Sequence, residues 1–547
     1  MKILIVGGVA GGASAAARAR RISEKAEIIL FDRGPYVSFA NCGLPYYVGN
    51  VIKNEKDLLV ATPEIFQERF NIQVRLESDV LSIDRKAKLI RVRELKSGRE
   101  YTEAYDALVL SPGAAPIRPP LPGIDLPGIF ALRTIPDSRK ILQWIGDKKA
   151  KTAVIVGGGF IGLEMAENLA AQGLKVSVVE MQPQVLPPFD AEMVGAIHEE
   201  LKKNSVTLHL GEAVSAFESG PSGMIRVSAK SGLSVEADLV ILSIGVKPET
   251  RLAEAAGIVL GPRGGIKVND SMQTSDEAIW AVGDAVEKRD FMTQEAIAVP
   301  LAGPANRQGR IAADAILGRK VSFRGVQATA VCKAFEVVAA ITGASEKALK
   351  RVGMPYEKIY LHPGHHAGYF PNAKPIDIKL LFAPSDGRIL GAQAVGFEGV
   401  EKRIDVIAMA IQMHATVYDL EEAELCYAPQ FGAAKDPVNV AGMIAANHLR
   451  GDASVTHWEN LKPGVDFLLD VRNPEEYAAF HIPGAMNIPL TRLRDRLNEV
   501  PKDKPVTVYC GVGQRAYYAV RALKGNGFDA RNLSGGIQTY LRLAKKA

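Results

Sequence analysis

Cys42 lies in the sequence SFANCGLP (residues 38–45), and the next cysteine along the chain is Cys332. A redox reaction at Cys42 therefore cannot end in a disulfide with a sequence neighbour. Its oxidised form must be a mixed disulfide with an outside thiol, a persulfide or a sulfenic acid. The sequence predicts single-thiol redox chemistry at this position.

Cys510 opens a second segment suited to sulfur chemistry, CGVGQR at residues 510–515. Its two glycines allow loop amides to turn toward a sulfur at the start of a helix, and Arg515 adds positive charge. A thiolate or persulfide on Cys510 would be stabilised there, as transfer of sulfane sulfur requires. We expect Cys510 and Arg515 to act together.

A βαβ unit precedes Cys42 and must position it. A strand at residues 2–6, a glycine-rich turn at 7–12 and an alanine-rich helix lead to a strand at 27–31 that ends at Asp32. Such glycines free backbone amides to meet a pyrophosphate at the helix N-terminus, and the acidic residue can accept a hydrogen bond from a ribose hydroxyl. Val9 takes the place of the second glycine of the strict fingerprint.

A second unit of the same kind follows. A strand at 152–156, the turn GGGFIG at 157–162, a helix and a strand at 175–179 end at Glu180, and this copy satisfies G-x-G-x-x-G in full. Glu180 is followed by MQP, without Arg or Lys, so a 2′-phosphate would meet a carboxylate with no cation to offset it. The second unit therefore favours NADH over NADPH.

The two units and three further blocks resemble the flavoprotein disulfide reductases that bind two dinucleotides. ALVLSPG (107–113) and VILSIG (240–245) resemble the family's strand-to-glycine crossovers, and TSDEAIWAVGD (274–284) resembles its second flavin motif. The resemblance covers residues 1–445 and implies that Asp284 binds a ribityl hydroxyl of FAD. The residues it implies for binding FAD and NADH are Gly7, Gly8, Ala10, Gly11, Gly12, Asp32, Arg33, Val80, Gly113, Gly157, Gly159, Gly162, Glu180, Gly245, Gly283, Asp284 and Tyr427.

The motif SFANC, with its lone cysteine, resembles that of the branch of this family that contains CoA-disulfide reductases, NADH oxidases and NADH peroxidases. The helix after the first turn carries Ser14, Arg18 and Arg21 at three- and four-residue spacings, which place them on one face. The resemblance implies that coenzyme A contacts Ser14, Arg18, Arg21, Ser38 and Asn41.

The sequence LCYAPQFGAAKDP (425–437) resembles the dimerisation-domain signature of the same branch. In that family the tyrosine reaches the partner subunit's flavin and cysteine site, and the lysine contacts CoA. The resemblance implies these roles for Tyr427 and Lys435, and it implies a homodimer. Tyr369 is a candidate for a second active-site phenol, with Phe370 as the other possible match.

The remaining cysteines and a histidine cluster receive structural interpretations. Cys332 and Cys426 are expected to be buried small apolar residues. His362, His365 and His366 lie in a loop rich in proline and glycine, without carboxylate or thiolate ligands at suitable spacing. We assign no metal to them.

After a polar linker at residues 447–453 the pattern restarts and resembles a single rhodanese domain. The blocks that carry the resemblance are a strand at 467–472, HIPGAMNIP at 481–489, a strand at 506–510 and LSGG at 533–536. The resemblance implies that Cys510 and Arg515 carry sulfane sulfur. Gly511 stands where rhodanese loops often have an arginine, so the resemblance implies no particular preference for thiosulfate.

The composition is typical of a globular protein of three or four domains, with 547 residues, 47% hydrophobic and 23% charged. The net charge of +5 is spread along the chain without a basic block, which argues against nucleic-acid binding. Four scattered cysteines favour a reducing compartment, and we expect a cytoplasmic protein. We expect neither a targeting segment nor a membrane span.

The expected fold class is α/β. It comprises two Rossmann-like FAD/NAD(P)-binding domains, an α+β dimerisation domain and a C-terminal α/β rhodanese domain. The predicted ranges are 1–112 with 250–325 for FAD, 113–249 for NAD, 326–446 for dimerisation and 455–547 for the rhodanese domain.

The combination resembles fusions of a CoA-disulfide reductase with a rhodanese, a group that includes NADH-dependent persulfide reductases. It implies an FAD enzyme that uses NADH to reduce CoA persulfide or polysulfide to hydrogen sulfide through Cys42, with Cys510 as sulfur carrier. Three alternatives remain open. A CoA-disulfide reductase would not need Cys510, an NADH oxidase or peroxidase would cycle Cys42 through sulfenic acid, and a non-enzymatic redox sensor would deliver sulfur to a partner protein.

Overall fold

The computed structural model describes residues 1–220, 223–462 and 465–544. Residues 221–222, 463–464 and 545–547, which fall in predicted domains, lie outside the described residues. The chain forms two compact units, Met1–Val185 with Lys202–Ala328, and Leu186–Leu201 with Thr329–Ala547. In the described part of the chain, no helix has the length and apolar character needed to cross a membrane.

A five-stranded parallel sheet contains the first βαβ unit. Its strands in spatial order are Ile279–Ala281, Ala107–Leu110, Lys2–Val6, Glu27–Phe31 and Gln73–Arg75. The central strands are apolar and buried, with Ile3 and Leu30 at 0% exposure, as is typical of a parallel sheet covered on both faces. Helix Ala10–Ile22 follows the first strand and packs against helix Ala302–Ile316.

A second five-stranded parallel sheet contains the second βαβ unit. Its strands in spatial order are Thr207–Leu210, Lys175–Glu180, Thr152–Val156, Leu239–Leu242 and Ile129–Phe130. Helix Phe160–Ala171 connects two neighbouring strands of this sheet. The two βαβ units therefore place their glycine-rich turns at equivalent positions, between the first strand and the helix of each βαβ unit.

Shorter elements complete the first compact unit, Met1–Val185 with Lys202–Ala328. Two three-stranded antiparallel sheets consist of Ser78–Asp84, Leu89–Glu94 and Glu100–Ala104, and of Val214–Ser219, Ile225–Ala229 and Ser234–Ala237. Two further antiparallel sheets have two strands each, Ala114–Pro116 with Val246–Pro248 and Lys288–Arg289 with Ala296–Ile297. Further helices are Leu44–Val48, Pro63–Phe70, Ile135–Lys148 and Arg251–Ala255. Thr134 and Asp137 form a capping box that fixes the start of helix Ile135–Lys148.

The second unit contains an antiparallel sheet and a smaller parallel one. The strands of the antiparallel sheet in spatial order are Ala330–Ala334, Val337–Gly343, Ile389–Gly396, Ile376–Phe382 and Glu357–Leu361. The helices are Glu346–Val352, Val400–Gln412, Val417–Glu422 and Pro437–Leu449, and helix Gly195–Lys203 begins in this unit. The parallel order is Val455–Thr456, Ala530–Leu533, Val506–Tyr509, Phe467–Asp470 and Met486–Asn487, with helices Pro474–Ala479, Gln514–Gly525 and Gly536–Ala544.

The predicted α/β class is confirmed, with small differences at strand ends. The strand predicted over 467–472 ends at Asp470, because the Arg472 N–H donates to the Asp470 side chain at 2.9 Å instead of to a neighbouring strand. The strand before the sulfur loop ends at Tyr509, so Cys510 is the first loop residue. The domain boundaries stay a prediction.

Candidate active site

Both glycine-rich turns depend on backbone that only glycine adopts easily. Gly7 and Gly157 have φ values of +97° and +106°. A Cβ atom on Gly12 would lie 1.9 Å from the Gly7 carbonyl oxygen, and one on Gly162 would lie 2.0 Å from that of Gly157. The following helix therefore approaches each turn closely, and its first amides are available to an anion.

Acidic residues close both turns in the same way. Asp32 accepts a hydrogen bond from the Gly8 N–H at 2.8 Å, and Glu180 accepts one from the Gly158 N–H at 2.6 Å. Burial raises the pKa of Asp32, although its bonds to backbone amides act in the opposite direction. The carboxylates are thus fixed at the strand ends, where their remaining lone pairs can accept ribose hydroxyls.

Val9 and Gly159 occupy matching positions in the two turns. A Cβ atom on Gly159 would meet no protein atom within 4 Å. Val9 has an extended backbone, with φ −95° and ψ −162°, so it needs no glycine. The departure from the strict fingerprint is therefore accommodated in the first turn, and the second leaves room for phosphates to approach its backbone.

The helices Ala10–Ile22 and Ala302–Ile316 cross closely beside the first turn. A Cβ atom on Gly309 would lie 2.2 Å from the Gly11 carbonyl oxygen. Ala10 and Gly11 open the first of these helices, as expected for the start of a nucleotide-binding helix. The close crossing sets the second helix beside the predicted flavin motif.

Asp284 and Gln308 carry buried polar atoms that no described residue satisfies. Asp284 Oδ1 and Gln308 Nε2 have no hydrogen-bond partner among these residues, whereas Gln308 Oε1 accepts the Gly283 N–H at 2.9 Å. Buried polar groups normally have partners. FAD offers both ribityl hydroxyls and phosphate oxygens, so these residues fit the flavin that the sequence predicts.

Lys288 is a buried cation beside Asp284 that sequence motifs did not indicate. Its Nζ lies 4.0 Å from Asp284 Oδ1 and donates to the Val299 carbonyl oxygen at 2.7 Å. Burial lowers the pKa of Lys288 to about 8, although Asp284 acts in the opposite direction. The predicted flavin pocket therefore contains a lysine whose charge responds to moderately basic pH.

The other residues predicted to contact the cofactors lie in several local settings. Gly113 and Gly245 adopt φ values of +76° and +102° after their strands. Arg33 forms an ion pair with Glu249 at 2.6 Å. The Val80 side chain is buried in the core, so only its main chain could contact a ligand.

Backbone hydrogen bonds hold the Cys42 segment against the first turn. The Ser38 N–H donates to the Gly8 carbonyl oxygen at 2.8 Å, and a left-handed φ of +48° at Ser38 turns the chain. A 3-10 turn at Asn41–Gly43 then leads into helix Leu44–Val48. Cys42, at the centre of that turn, is exposed.

The protein groups around Cys42 favour its thiol form over the thiolate. Desolvation by surrounding protein atoms raises the pKa of Cys42, and the carboxylates of Glu164 and Asp284 raise it further. The Asn41 side-chain oxygen lies 3.9 Å from Sγ. The thiolate would therefore require a further stabilising group at this site.

Glu164 is a carboxyl group near Cys42 that the sequence motifs did not predict. It lies on helix Phe160–Ala171 and accepts a hydrogen bond from the Tyr46 hydroxyl at 3.3 Å. Burial raises the pKa of Glu164 to about 7, and Glu167 adds to the effect. An acidic residue among apolar neighbours, two positions after the last fingerprint glycine, was the available signal.

Two residues predicted to bind CoA are engaged within the protein. Arg18 forms a bidentate ion pair with Asp314, with a shortest N–O distance of 2.8 Å, and Ser14 donates to the Asn306 side-chain oxygen. A ligand at Arg18 would have to share this guanidinium with Asp314. Their predicted roles in CoA binding stay predictions.

The other residues predicted to bind CoA are more accessible. Arg21 and Asn41 are exposed in the first unit, and Ser38 is half-buried there. Lys435 is exposed in the second unit. Arg21 and Asn41 therefore offer polar groups to solvent in the unit that contains Cys42.

Tyr427 and Tyr369 form a pair of exposed phenols in the second unit. Their hydroxyl oxygens are 2.7 Å apart, and their exposures are 48% and 76%. Their hydrogen bond raises the pKa of Tyr369. Phe370 instead packs edge-on against the His366 ring, so Tyr369 is the one of the two that contacts Tyr427.

The expectation for the remaining cysteines holds for only one of them. Cys332 is buried in the strand Ala330–Ala334, as expected, whereas Cys426 is exposed. Cys426 lies in the irregular segment 423–436 between two helices, and that segment does not cover it. The interpretation of Cys426 as a buried apolar residue is therefore wrong.

The sulfur loop follows the strand Val506–Tyr509 and surrounds Cys510. The Gly513 N–H donates to Cys510 Sγ at 3.2 Å, and Gly513 has a φ of +95°. Arg515 forms a bidentate ion pair with Glu476, with both N–O distances at 2.7 Å. Glu476 raises the pKa of Arg515, with a smaller contribution from Cys510. Cys510 is 1% exposed.

The three histidines bond within the protein. His362 Nδ1 lies 2.6 Å from Asp377 Oδ1, and His365 and His366 bond to main-chain groups through Nδ1. Asp377 belongs to the strand Ile376–Phe382, so the topology supplies a carboxylate partner that local sequence spacing did not indicate.

A carboxylate cluster elsewhere in the second unit is bridged by a lysine. The Lys379 Nζ lies 2.9 Å from Asp190, 2.6 Å from Glu192 and 2.6 Å from Glu346. Its side chain is fully buried. The ammonium group therefore takes the position at which these carboxylates could otherwise hold a cation.

Comparisons with known proteins agree with this arrangement. The pyridine nucleotide-disulphide oxidoreductase model matches residues 1–307, the dimerisation domain of the same family matches 329–436, and a rhodanese-like domain matches 456–543. A coenzyme A disulfide reductase of Staphylococcus haemolyticus is 35% identical over 445 residues, which cover 81% of this chain and 99% of that protein. An NADH oxidase of Methanocaldococcus jannaschii is 36% identical over 454 residues, which cover 82% and 99%.

Solved structures match the whole length of the chain. The reduced Bacillus anthracis protein CoADR-RHD has a TM-score of 0.97 at 47% identity and covers 100% of this chain and 98% of its own. An NAD-dependent persulfide reductase from A. fulgidus has a TM-score of 0.91 at 35% identity and covers 99% and 100%. The chain belongs to the pyridine nucleotide-disulphide oxidoreductase family, and a rhodanese-like domain follows its dimerisation domain.

Proposed function

We propose that this oxidoreductase uses NADH and FAD, the cofactors of its family, to reduce the sulfane sulfur of CoA persulfide or polysulfide to hydrogen sulfide. The observation that carries the proposal is the presence of two different thiol sites in one chain. Cys42 is exposed and lies within electrostatic range of Asp284, whereas Cys510 is buried and its sulfur accepts a hydrogen bond from the Gly513 N–H. The first suits redox exchange, and the second suits a stabilised persulfide.

At the first site, the Cys42 thiolate attacks the CoA-bearing sulfur of CoA–S–SH. The Cys42–S–S–CoA bond forms, the original S–S bond breaks, and the outer sulfur leaves as HS⁻. The two electrons that then split this mixed disulfide into two thiolates come from NADH through bound FAD. Glu164, which exchanges a proton near pH 7, lies close enough to Cys42 to influence its charge.

On the first unit, coenzyme A would be held by Ser14, Arg18, Arg21, Ser38 and Asn41. For Lys435, on the second unit, a contact with CoA is proposed from the dimerisation-domain signature alone. Arg21 and Asn41 are exposed, which supports their availability to a ligand. Arg18 already shares its charge with Asp314, so we assign Arg21 the larger electrostatic contribution.

The dimerisation domain supports a homodimer, and we propose that Tyr427 of the partner subunit completes each Cys42 site. Its hydroxyl would protonate or orient the leaving sulfur. The exposed Tyr369–Tyr427 pair supports this role, because exposed phenols on a dimerisation domain can reach a partner.

At the second site, Cys510 would carry a persulfide whose outer sulfur is transferred to the CoA thiolate. Cys510–S–SH and CoA–S⁻ then become Cys510–S⁻ and CoA–S–SH, which is the substrate of Cys42. Gly513 and Arg515 would stabilise the Cys510 thiolate that leaves. Four cysteines scattered along the sequence favour a reducing compartment, and we propose the cytoplasm.

Anaerobic NADH oxidation with CoA persulfide, polysulfide and CoA disulfide tests the proposal. We expect persulfide turnover to exceed CoA-disulfide turnover, to be abolished in Cys42→Ser, and to fall in Cys510→Ser when sulfur is supplied as polysulfide. Cys332→Ala, at a buried strand position, controls for loss of a cysteine elsewhere.

Two other activities are supported by relatives and have their own outcomes. Faster CoA-disulfide turnover, unaffected by Cys510→Ser, would indicate the activity named for the Staphylococcus haemolyticus relative. Turnover that depends on oxygen or peroxide, without CoA retained in the purified protein, would indicate the activity named for the Methanocaldococcus jannaschii relative. Capture of a protein with slow turnover of every small disulfide would indicate a sulfur-relay sensor.

A further inference from the structure

The second unit contains a buried polar seam between the dimerisation sheet and the end of the rhodanese domain. We define this docking seam by Tyr360, His362, Asp377, Ser534 and Thr539. The Tyr360 N–H donates to Ser534 Oγ at 2.8 Å, and His362 Nε2 lies 2.8 Å from Thr539 Oγ1. Each of these residues except His362 is between 5% and 7% exposed, and the His362 side chain is 3% exposed.

A hydrogen-bonded chain runs through the seam from Asp377 to His362 to Thr539. Its distances are 2.6 Å at His362 Nδ1 and 2.8 Å at Nε2. Burial alone would raise the pKa of Asp377, but His362 and Arg542 hold it below its ordinary value. Thr539 is 5% exposed, and its hydroxyl lies against Gly535. The two hydrogen bonds, from Asp377 to His362 and from His362 to Thr539, therefore hold Thr539 in place.

Two glycines connect the seam to the sulfur loop. Gly535 and Gly536 have φ values of +69° and +60°. A Cβ atom on Gly535 would lie 2.9 Å from Tyr360 Cβ, and one on Gly536 would lie 2.5 Å from the Cys510 carbonyl oxygen. The backbone at these glycines is thus confined between the dimerisation domain on one side and Cys510 on the other.

The next amides bind the sulfur loop directly. The Ile537 N–H donates to the Cys510 carbonyl oxygen at 2.9 Å, and the Gln538 N–H donates to that of Gly511 at 3.1 Å. These bonds set the backbone from which the Gly513 N–H reaches Cys510 Sγ. Thr539, held by His362, is the next residue along the same helical turn.

We propose that His362 and Asp377 are positioning residues for Cys510, because their hold on Thr539 keeps the 536–538 turn in the place that orients the Gly513 amide toward the sulfur. The reactivity of a thiol in the rhodanese domain is then set by side chains of the dimerisation domain. This inference rests on the proposed role of Cys510 as sulfur carrier.

The pH dependence of Cys510 alkylation in the full-length, FAD-loaded enzyme tests the inference. Iodoacetamide is the probe, and peptide mass spectrometry separates Cys510 from the other cysteines. Thr539→Val removes the hydroxyl at nearly constant volume, and Thr539→Ser retains it. We expect Thr539→Val and His362→Gln to raise the midpoint of Cys510 labelling by about one pH unit, which lowers its rate near pH 7 about tenfold. Thr539→Ser should keep the wild-type midpoint.

NADH-driven reduction of CoA disulfide at Cys42 serves as the measure of an intact enzyme. His362→Gln lies outside the rhodanese domain, so it keeps the test valid if Thr539→Val disturbs that domain. An unchanged midpoint in both variants would overturn the inference, as would a wild-type Cys510 that resists labelling at every pH. Alkylation needs no sulfur donor, so failure of Cys510 to form a persulfide would count against the proposed function alone.

Discussion

Arg515 and Glu476 form a bidentate ion pair beside Cys510, with both N–O distances at 2.7 Å. Arg515 lowers the pKa of Glu476 to about 2, with the Asn473 amide adding to the effect. The carboxylate therefore stays ionised at any pH at which the enzyme would be assayed. Most of the positive charge that the loop offers a sulfur donor is offset by this partner.

Glu476→Gln should increase sulfur transfer from thiosulfate. The amide removes the negative charge next to Arg515, and a dianionic donor would then meet a less compensated cation. We expect the rate with thiosulfate and cyanide to rise about fivefold to tenfold, which corresponds to about 1 kcal/mol. Glu475→Gln, at an exposed neighbouring position, should leave the rate unchanged. Equal rates in wild type and Glu476→Gln would contradict this account of the ion pair.

Glu164→Gln should stabilise the protein at basic pH. The pKa of Glu164 is raised from 4.5 to about 7, so the folded state disfavours the charged form. The wild type therefore loses stability as pH rises from about 4.5 to about 7, by about 3 kcal/mol in total. Thermal unfolding at pH 8 should show a higher Tm for Glu164→Gln, with a much smaller difference at pH 5.

Glu68→Gln is the matched control for that experiment. Glu68 is exposed on helix Pro63–Phe70, and its substitution should change Tm little at either pH. If Glu164→Gln gave the same small difference at pH 5 and pH 8, the raised pKa would be wrong.

Asp284→Ala should weaken FAD binding without destabilising the flavin-free protein. Asp284 Oδ1 is buried without a hydrogen-bond partner among the described residues, and Lys288, 4.0 Å away, keeps its hydrogen bond to the Val299 carbonyl oxygen. Removal of Asp284 should therefore cost the flavin-free protein little. Loss of a charged acceptor should cost about 2 kcal/mol of FAD affinity, or about thirtyfold in Kd. FAD titration measures the affinity, and thermal unfolding of the flavin-free protein gives the comparison. A lower flavin-free Tm with unchanged Kd would assign Asp284 a structural role instead.

Gly309→Ala should separate two helices that meet beside the first glycine-rich turn. The new Cβ atom would lie 2.2 Å from the Gly11 carbonyl oxygen, and such overpacking costs about 1 to 3 kcal/mol. Both Tm and FAD content should fall. Gly303→Ala on the same helix meets no atom within 4 Å and should leave both unchanged. Similar behaviour of the two variants would argue against the close crossing.

The glycine-rich turns could be predicted because their requirements are local. Gly7 and Gly157 need backbone angles that few other residues adopt, and Asp32 and Glu180 follow at the end of the next strand. The position of Cys510 between a strand and a helix could be predicted for the same reason, because the loop residues that follow it in sequence determine it.

Long-range partners could not be predicted from the sequence. The resemblance predicts that Arg18 contacts CoA, and the structure adds an ion pair with Asp314, which lies 296 residues away. The pairing of His362 with Thr539 spans 177 residues. Cys426 was expected in a core, but whether a residue in an irregular segment is covered depends on how neighbouring helices pack.

The sulfide released per NADH oxidised, measured anaerobically with CoA persulfide, tests the central claim most directly. We expect the wild type to release one sulfide for each NADH oxidised. A Cys42–S–S–CoA adduct should be detectable by mass spectrometry before NADH is added. Cys42→Ser should show neither sulfide release nor the adduct. NADH oxidation without sulfide, or sulfide release that persists in Cys42→Ser, would contradict the account.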